Sequence, residues 1–250
     1  MQEELANLKE RKNGLKIANK LEDRQAHCKE ITIDISAPLH ADRDFKDKVW
    51  IQLKARFEHL SADHKTQPAR PGCFERVISW RRLVTRDYNP ETRYWYPRTQ
   101  DKFTFEQEKT VLLFLTGHEI ERAVAAYKFP DDEDKSDTLL EIVAKVRKVY
   151  GLDYQVILLV QNLSEKMKAK KSAENAVFQS EVRGGAGAPP KPRRKNAAAW
   201  DDRISMEDIE QELVRLQLLA RCSIQRNEKH EEAVDWIAEF TKDIAHRPYK

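Results

Sequence analysis

Apolar positions along the chain form three kinds of run, and each predicts a different element. Strict alternation occurs at Ile31-Thr32-Ile33-Asp34-Ile35. β-Branched residues at every second position predict a strand with one buried face, ending at Ser36-Ala37-Pro38 because proline has no ladder donor. Continuous apolar runs occur at Val111-Leu112-Leu113-Phe114-Leu115 and through Gln155 to Gln161, as in strands covered on both faces. A spacing of three to four relates Phe45, Val49, Leu53, Phe57 and Leu60 within Asp44 to Leu60, the stripe of a helix lying on a sheet.

The residues between these runs set the boundaries. Thr116-Gly117-His118-Glu119 fits a capping box opening a helix with Ile120, Val124 and Tyr127 on one face, and Thr138 to Glu141 opens another with Ile142, Val143, Val146 and Val149. Gly151 then stops that helix before the strand at Gln155. Strand, helix, strand at this spacing predicts a parallel α/β unit. Upstream, Glu75 to Arg86 predicts a strand around Val77-Ile78-Ser79-Trp80, and the turn signal Asn89-Pro90-Glu91-Thr92 before Tyr94-Trp95-Tyr96 makes it one arm of a long hairpin. Two amphipathic helices close the chain. Ser205 caps the first, striped by Ile209, Leu213, Leu216 and Ala220, and Ala233, Ile237, Phe240 and Ile244 stripe the second.

Two segments stand apart. Glu3 to Cys28 predicts a helix interrupted at Gly14, with a broken apolar stripe, Leu5, Leu8, Leu15, Ala18, Leu21, that suits a loosely attached extension. From Ser164 to Ala199 a Lys/Arg-rich stretch surrounds Gly184-Gly185-Ala186-Gly187-Ala188-Pro189-Pro190, with little to bury. The expected organisation is a helical extension over 1–28 and a main domain over 29–250, carrying a flexible basic Gly/Pro insertion at about 182–200.

With 250 residues, the chain is long enough to bury a self-sufficient core. Cys28, Cys73 and Cys222 are isolated, so neither a disulfide framework nor a zinc site is expected. No apolar run approaches the roughly 20 residues of a membrane span, and the charged N-terminal stretch does not resemble a signal peptide. Charged residues make up 35% of the chain, yet the net charge is only +3. Attraction to nucleic acid therefore has to come from local basic patches.

Several segments, read together, resemble a known family. Asp208-Ile209-Glu210-Gln211-Glu212-Leu213-Val214-Arg215-Leu216-Gln217-Leu218, followed by Phe240-Thr241-Lys242-Asp243-Ile244-Ala245 and Pro248-Tyr249-Lys250, is similar to the closing helices of the non-catalytic subunit of XPF-family crossover-junction endonucleases. This is the essential meiotic endonuclease subunit of fungi and animals, and a fungal source is expected. Ile31 to Ile35, Ser79-Trp80-Arg81-Arg82, Val111 to Leu115 and Gln155 to Gln161 follow in the order of its strands. The resemblance implies an α/β fold with a restriction-endonuclease-like core, a central mixed sheet flanked by helices, and two closing C-terminal helices. It also implies a tandem helix-hairpin-helix domain beyond the core, and this sequence is expected to be truncated before it.

Active members of that family hold divalent metal with carboxylates on neighbouring strand ends and carry a Glu-Arg-Lys triplet with an Asp four residues beyond the Lys. Where the resemblance places the triplet, Val111 to Leu115 runs into Thr116-Gly117-His118, with neither acid nor lysine. Glu10-Arg11-Lys12 has the triplet's letters, but it precedes every strand and has Lys16 in place of the Asp. Asp44-Phe45-Lys46 and Glu133-Asp134-Lys135 fall in helix or loop and suit solvated charge, while His118 suits a first-turn position facing solvent. No catalytic or metal-binding residue is therefore expected, no cofactor in this chain, and Mg²⁺ only in a catalytic partner subunit.

The expected function is regulatory: a nuclear, DNA-binding pseudonuclease subunit, inactive on its own, of a heterodimer that cuts 3′ flaps, replication forks and nicked Holliday junctions in repair and meiotic recombination. Candidate phosphate contacts are Arg81 and Arg82 beside Trp80, Arg93 beside Tyr94-Trp95-Tyr96, and Lys191, Arg193, Arg194 and Lys195 in the basic tract. Two alternatives remain. One is a divergent Mg²⁺ nuclease built on Asp34 with Glu75 or Asp153, and the other is an interaction module whose terminal helices dock another protein.

Overall fold

The computed structural model describes residues 2–19, 28–60, 63–67, 76–131, 136–163 and 203–247. The chain divides into two compact units. One comprises Met1–Pro68, Ile78–Lys109 and Val234–Lys250, and the other Ala69–Val77 and Thr110–Ala233. The architecture is the expected restriction-endonuclease-like α/β fold, a mixed sheet flanked by helices.

In the first unit β1 (Ile31–Ser36) pairs in parallel with β2 (Asp63–Gln67) and antiparallel with β3 (Val77–Val84). The opening part of β6 (Thr104–Thr116) follows, giving the order β2-β1-β3-β6. Ile31, Ile33 and Ile35 oppose Arg82, Trp80 and Ile78, so these six residues share one face. The alternation in β1 predicted a polar outer face, but Thr32 and Asp34 are buried as well, since the opposite face is covered too. After the strand, Pro38 enters the short helix α2 (Ala37–Ala41), Asp42 caps α3 (Arg43–Phe45), and a π-helical turn at Lys46–Trp50 leads into α4 (Ile51–Leu60). Phe45, Val49 and Leu53 are buried along that stretch, as their spacing predicts.

The hairpin differs from expectation. Its arms are β4 (Arg86–Asn89) and β5 (Tyr94–Pro97), a separate two-stranded ribbon, and β3 belongs to the main sheet. Asn89 makes the turn by accepting hydrogen bonds from the backbone N–H groups of Glu91 and Thr92 through its side-chain oxygen. The N-terminal helix α1 (Gln2–Ala18) runs through Gly14 without a break and packs on β5. It is not loosely attached. The Asn19 amide donates to the carbonyl of Trp95 at 2.9 Å and accepts from its N–H at 3.0 Å, a side chain acting as a two-point strand partner.

In the second unit the end of β6 pairs in parallel with β7 (Gln155–Gln161), and β7 with β8 (Ser223–Asn227). Val111 to Leu115 and Val156 to Val160 are buried on both faces, as their unbroken apolar runs require. The boxes at Thr116/Glu119 and Thr138/Glu141 open α5 (Gly117–Lys128) and α6 (Leu139–Tyr150), and Gly151 ends the latter at φ 127°, a conformation suited to glycine. Helices α5 and α6 pack on α7 (Met206–Ala220), which Ser205 caps together with Asp208. The two closing helices, α7 and α8 (His230–His246), are not consecutive, because the polar strand β8 lies between them.

Candidate functional site

Strand alternation separates the two arginines that follow Trp80. Arg82 shares the apolar face of β3, 5% exposed, where its guanidinium bonds Glu108 at 2.6 Å and donates to the carbonyls of Ile244 and Ala245 at the end of α8. These are carbonyls of the last turn, where the Ile244 oxygen also accepts from the Arg247 N–H at 3.1 Å, so Arg82 caps the C-terminal end of that helix. Trp80 anchors the same helix through Nε1–H to Thr241 Oγ1 at 2.9 Å. Arg82 is a correction to the candidate phosphate contacts: it is buried, and its nitrogens are taken up inside the protein.

Arg81 lies on the opposite face, beside Asp34. In the β1–β3 register Arg81 opposes Thr32 and Asp34 opposes Ser79, which makes Arg81 and Asp34 diagonal neighbours. The guanidinium grips both carboxylate oxygens, Nε to Oδ2 at 2.5 Å and an Nη to Oδ1 at 2.8 Å, and sits 5.1 Å above the Phe105 ring. Asp34, only 2% exposed, thus has its charge neutralised by a fixed protein cation. Arg81 is half-buried and its guanidinium is committed to Asp34.

Acids at the start of α5 are likewise engaged. Glu119 caps α5 by accepting from the Thr116 N–H at 2.8 Å and also pairs with Arg76 at 2.5 Å. His118, expected to face solvent, is half-buried, with Nδ1 3.3 Å from the buried Glu121 carboxylate. Among the described residues no group of three or more His, Cys, Asp or Glu could hold a metal ion. Asp34 and Glu119 do not fit a Mg²⁺ site, because hard-metal binding needs several oxygens free of protein cations. Glu10-Arg11-Lys12 sits exposed on α1, and Glu75 and Glu133-Asp134-Lys135 lie outside the described residues.

Of the remaining candidates, Arg93 is exposed in the β4–β5 turn with a left-handed backbone (φ 57°), while Lys191, Arg193, Arg194 and Lys195 lie outside the described residues. Next to Arg93 the ribbon displays Tyr88 and Tyr94, 50% and 58% exposed. Arg98 fixes its base through Asp87, at 2.6 Å, and this hydrogen-bonded pairing holds the Asp87 carboxyl below the usual range.

One surface escaped the sequence pattern. The inner stripe of α7 is Ile209, Leu213, Leu216 and Ala220, but its outer side exposes Val214, Leu218 and Leu219 around a shallow apolar depression of about 470 Å³, with Glu210, Gln211 and Arg215 at the rim. The signal lay in a helix apolar on two sides, which one stripe does not account for.

No helix among the described residues is long and apolar enough to cross a membrane. A search of curated proteins returns no match. The model of the ERCC4 domain matches residues 41–240, most of the chain and every strand of the main sheet except β1. The chain therefore belongs to the ERCC4-domain family of structure-specific endonucleases.

Proposed function

We propose that this chain is the non-catalytic subunit of a heterodimeric structure-specific endonuclease, a nuclear pseudonuclease that binds branched DNA while a catalytic ERCC4-family partner holds Mg²⁺ and cuts. The proposed substrates of the complex are 3′ flaps, forks and nicked Holliday junctions in repair and meiotic recombination. The observation that carries this reading is the Arg81–Asp34 clamp. A carboxylate within a strand of a nuclease fold is the natural place for metal chemistry, and here a guanidinium neutralises both its oxygens. The outer side of α7 supports the heterodimer. Val214, Leu218 and Leu219 form an exposed apolar strip on a structured helix, suited to burial against a partner subunit. Arg93 and the tract at Lys191, Arg193, Arg194 and Lys195 remain the proposed phosphate contacts.

The test is a fluorescence-anisotropy titration of the full chain with a labelled nicked four-way junction and a linear duplex across a salt series, with Mg²⁺ incubations run in parallel. Binding should weaken with salt and the DNA should stay intact. Reversing the charge of Arg193, Arg194 and Lys195 should flatten the salt dependence by about one unit of slope per lost contact. Mg²⁺-dependent cutting that disappears in Asp34→Ala would overturn the proposal.

A further inference from the structure

Helix α1 packs on the β4–β5 ribbon within the first unit. Asn19 binds the open edge of β5 at Trp95, while a Cβ on Gly14 would sit 3.4 Å from the Pro97 ring. From Gly14 to Asn19 the helix rises about 7.5 Å, and from Pro97 to Trp95 the strand spans about 6.6 Å. The two therefore run side by side, and the C-terminal end of α1 points toward the ribbon tip at Asn89 to Arg93. The tip residues Pro90 to Tyr94 are exposed.

The lysines of α1 run from its middle to its C-terminal end. Lys9, Lys12 and Lys16 follow i, i+3, i+7 spacing, which puts them on one face. That face lies about 160–220° around the helix from Gly14, and all three lysines are exposed on the side turned away from β5. They span about 10 Å along the axis, the length of about three phosphates at the 3.4 Å spacing of a stacked strand. Beyond the end of the helix, at the tip, stand the exposed Arg93 and the ring of Tyr94, on the ribbon face opposite Tyr88 and Trp95. Cations together with an exposed aromatic ring are the elements that bind single strands, with phosphates held by charge and an unpaired base stacked on the ring. Duplex DNA keeps its bases paired and offers no such face to Tyr94.

We infer that the α1–ribbon surface is a binding site for unpaired DNA, with the backbone on Lys9, Lys12 and Lys16 and a base stacked on Tyr94 beside Arg93. The inference deepens the proposed DNA-binding role and rests on it. It assigns α1 a part in holding the single-stranded arm of a branched substrate.

The experiment uses the full chain with a labelled oligothymidine of about 16 nucleotides, which has no secondary structure, and a duplex of the same length. Tyr94→Ala should weaken oligothymidine binding about tenfold and leave duplex binding unchanged, while Tyr94→Phe, which keeps the ring, should bind like the parent. Replacing Lys9, Lys12 and Lys16 by Gln should reduce the slope of log affinity against log salt by about 2 on the single strand. Arg93→Asn removes a charge while suiting the left-handed backbone, and should reduce that slope by a further 0.7 or about that. Circular-dichroism melts check that each variant is folded. Unchanged oligothymidine affinity in the tyrosine and lysine variants, with duplex binding intact, would overturn this site and leave the DNA-binding role standing. No binding to any DNA at low salt would overturn both.

Discussion

The two units use charged residues in opposite ways. In the first, ion pairs are built into the strands: Arg82–Glu108 with side chains 6% and 19% exposed, Arg86–Glu30 at 7% and 14%, and Arg81–Asp34 at 24% and 2%. In the second, the end of β6 and the apolar run of β7 carry no charge, and the pairs Lys128–Asp208 and Lys145–Asp137 sit on the surface. The contrast matters because desolvation changes what a pair is worth. A surface pair contributes about 0–1 kcal/mol, whereas removing one partner of a buried pair costs about 3–5 kcal/mol because the other charge is left stranded. The strands of the first unit are thus held in register by specific partners and the apolar runs of β6 and β7 in the second by burial, the half-buried pairs Arg76–Glu119 and Arg215–Glu212 of the second unit lying off those runs. Asp34, the carboxylate within a strand, lies in the first kind of environment, where Arg81 matches it.

The largest effect is expected from Arg82→Ala. It strands Glu108 and exposes the carbonyls of Ile244 and Ala245 at the end of α8 to an unfilled space. Chemical denaturation should show a loss of about 3–5 kcal/mol. Arg82→Met combined with Glu108→Leu should recover much of it, since apolar replacement of both partners is often neutral or better. A single-variant loss below about 1 kcal/mol would place the pair among surface pairs and break the comparison.

The matching substitution in the second unit is Leu158→Ala, in the middle of β7 and 1% exposed. Its expected cost is about 2–5 kcal/mol from lost transfer energy and a cavity. It should be the same at low and high salt, because no charge is involved. A salt-dependent loss would mean that charges take part in holding this strand.

The same contrast governs what could be read from the sequence. β6 beyond Thr110, β7, the two capping boxes and Gly151 follow from local rules alone, so residue order was enough to find them. The first unit depends on partners far apart in the chain. Thr32 and Asp34 looked solvent-facing until Arg81, 47 residues after Asp34, was found closing over the carboxylate. Arg81 and Arg82 are indistinguishable in the sequence, and only the register with β1 shows which one turns toward α8 and which toward Asp34. The opening residues Thr104 to Lys109 of β6 and the residues of β8 are polar apart from Phe105 and Ile224, so they gave no strand signal, although they pair with strands that did. For the candidate site, the aromatic and basic residues of the ribbon were visible, but the role of α1 was hidden because it rests on one amide, Asn19, placed on a strand edge.

The smallest expected effect sharpens the comparison from the surface side. A hydrogen bond from the Lys128 ammonium, followed by those from Ser205, lowers the Asp208 carboxyl from 3.8 to about 2. A carboxyl depressed in the folded state stabilises the fold fully above its unfolded value and loses that contribution as pH falls toward its folded value. The contribution of Asp208 is therefore complete at pH 6, declines from about pH 4, and is largely gone near pH 2. Because Asp208 lies at the surface, Asp208→Asn should cost no more than about 1 kcal/mol at pH 6. The gap between parent and variant should close as pH approaches 2, and it should shrink at pH 6 when salt is raised to about 1 M, where the screening length falls to about 3 Å. The Arg82 variant should keep most of its deficit in the same high-salt buffer, since a pair inside the sheet is poorly screened. If salt removed both deficits equally, the pairs of the two units would be of one kind, and the first unit would owe its register to apolar contacts like the second.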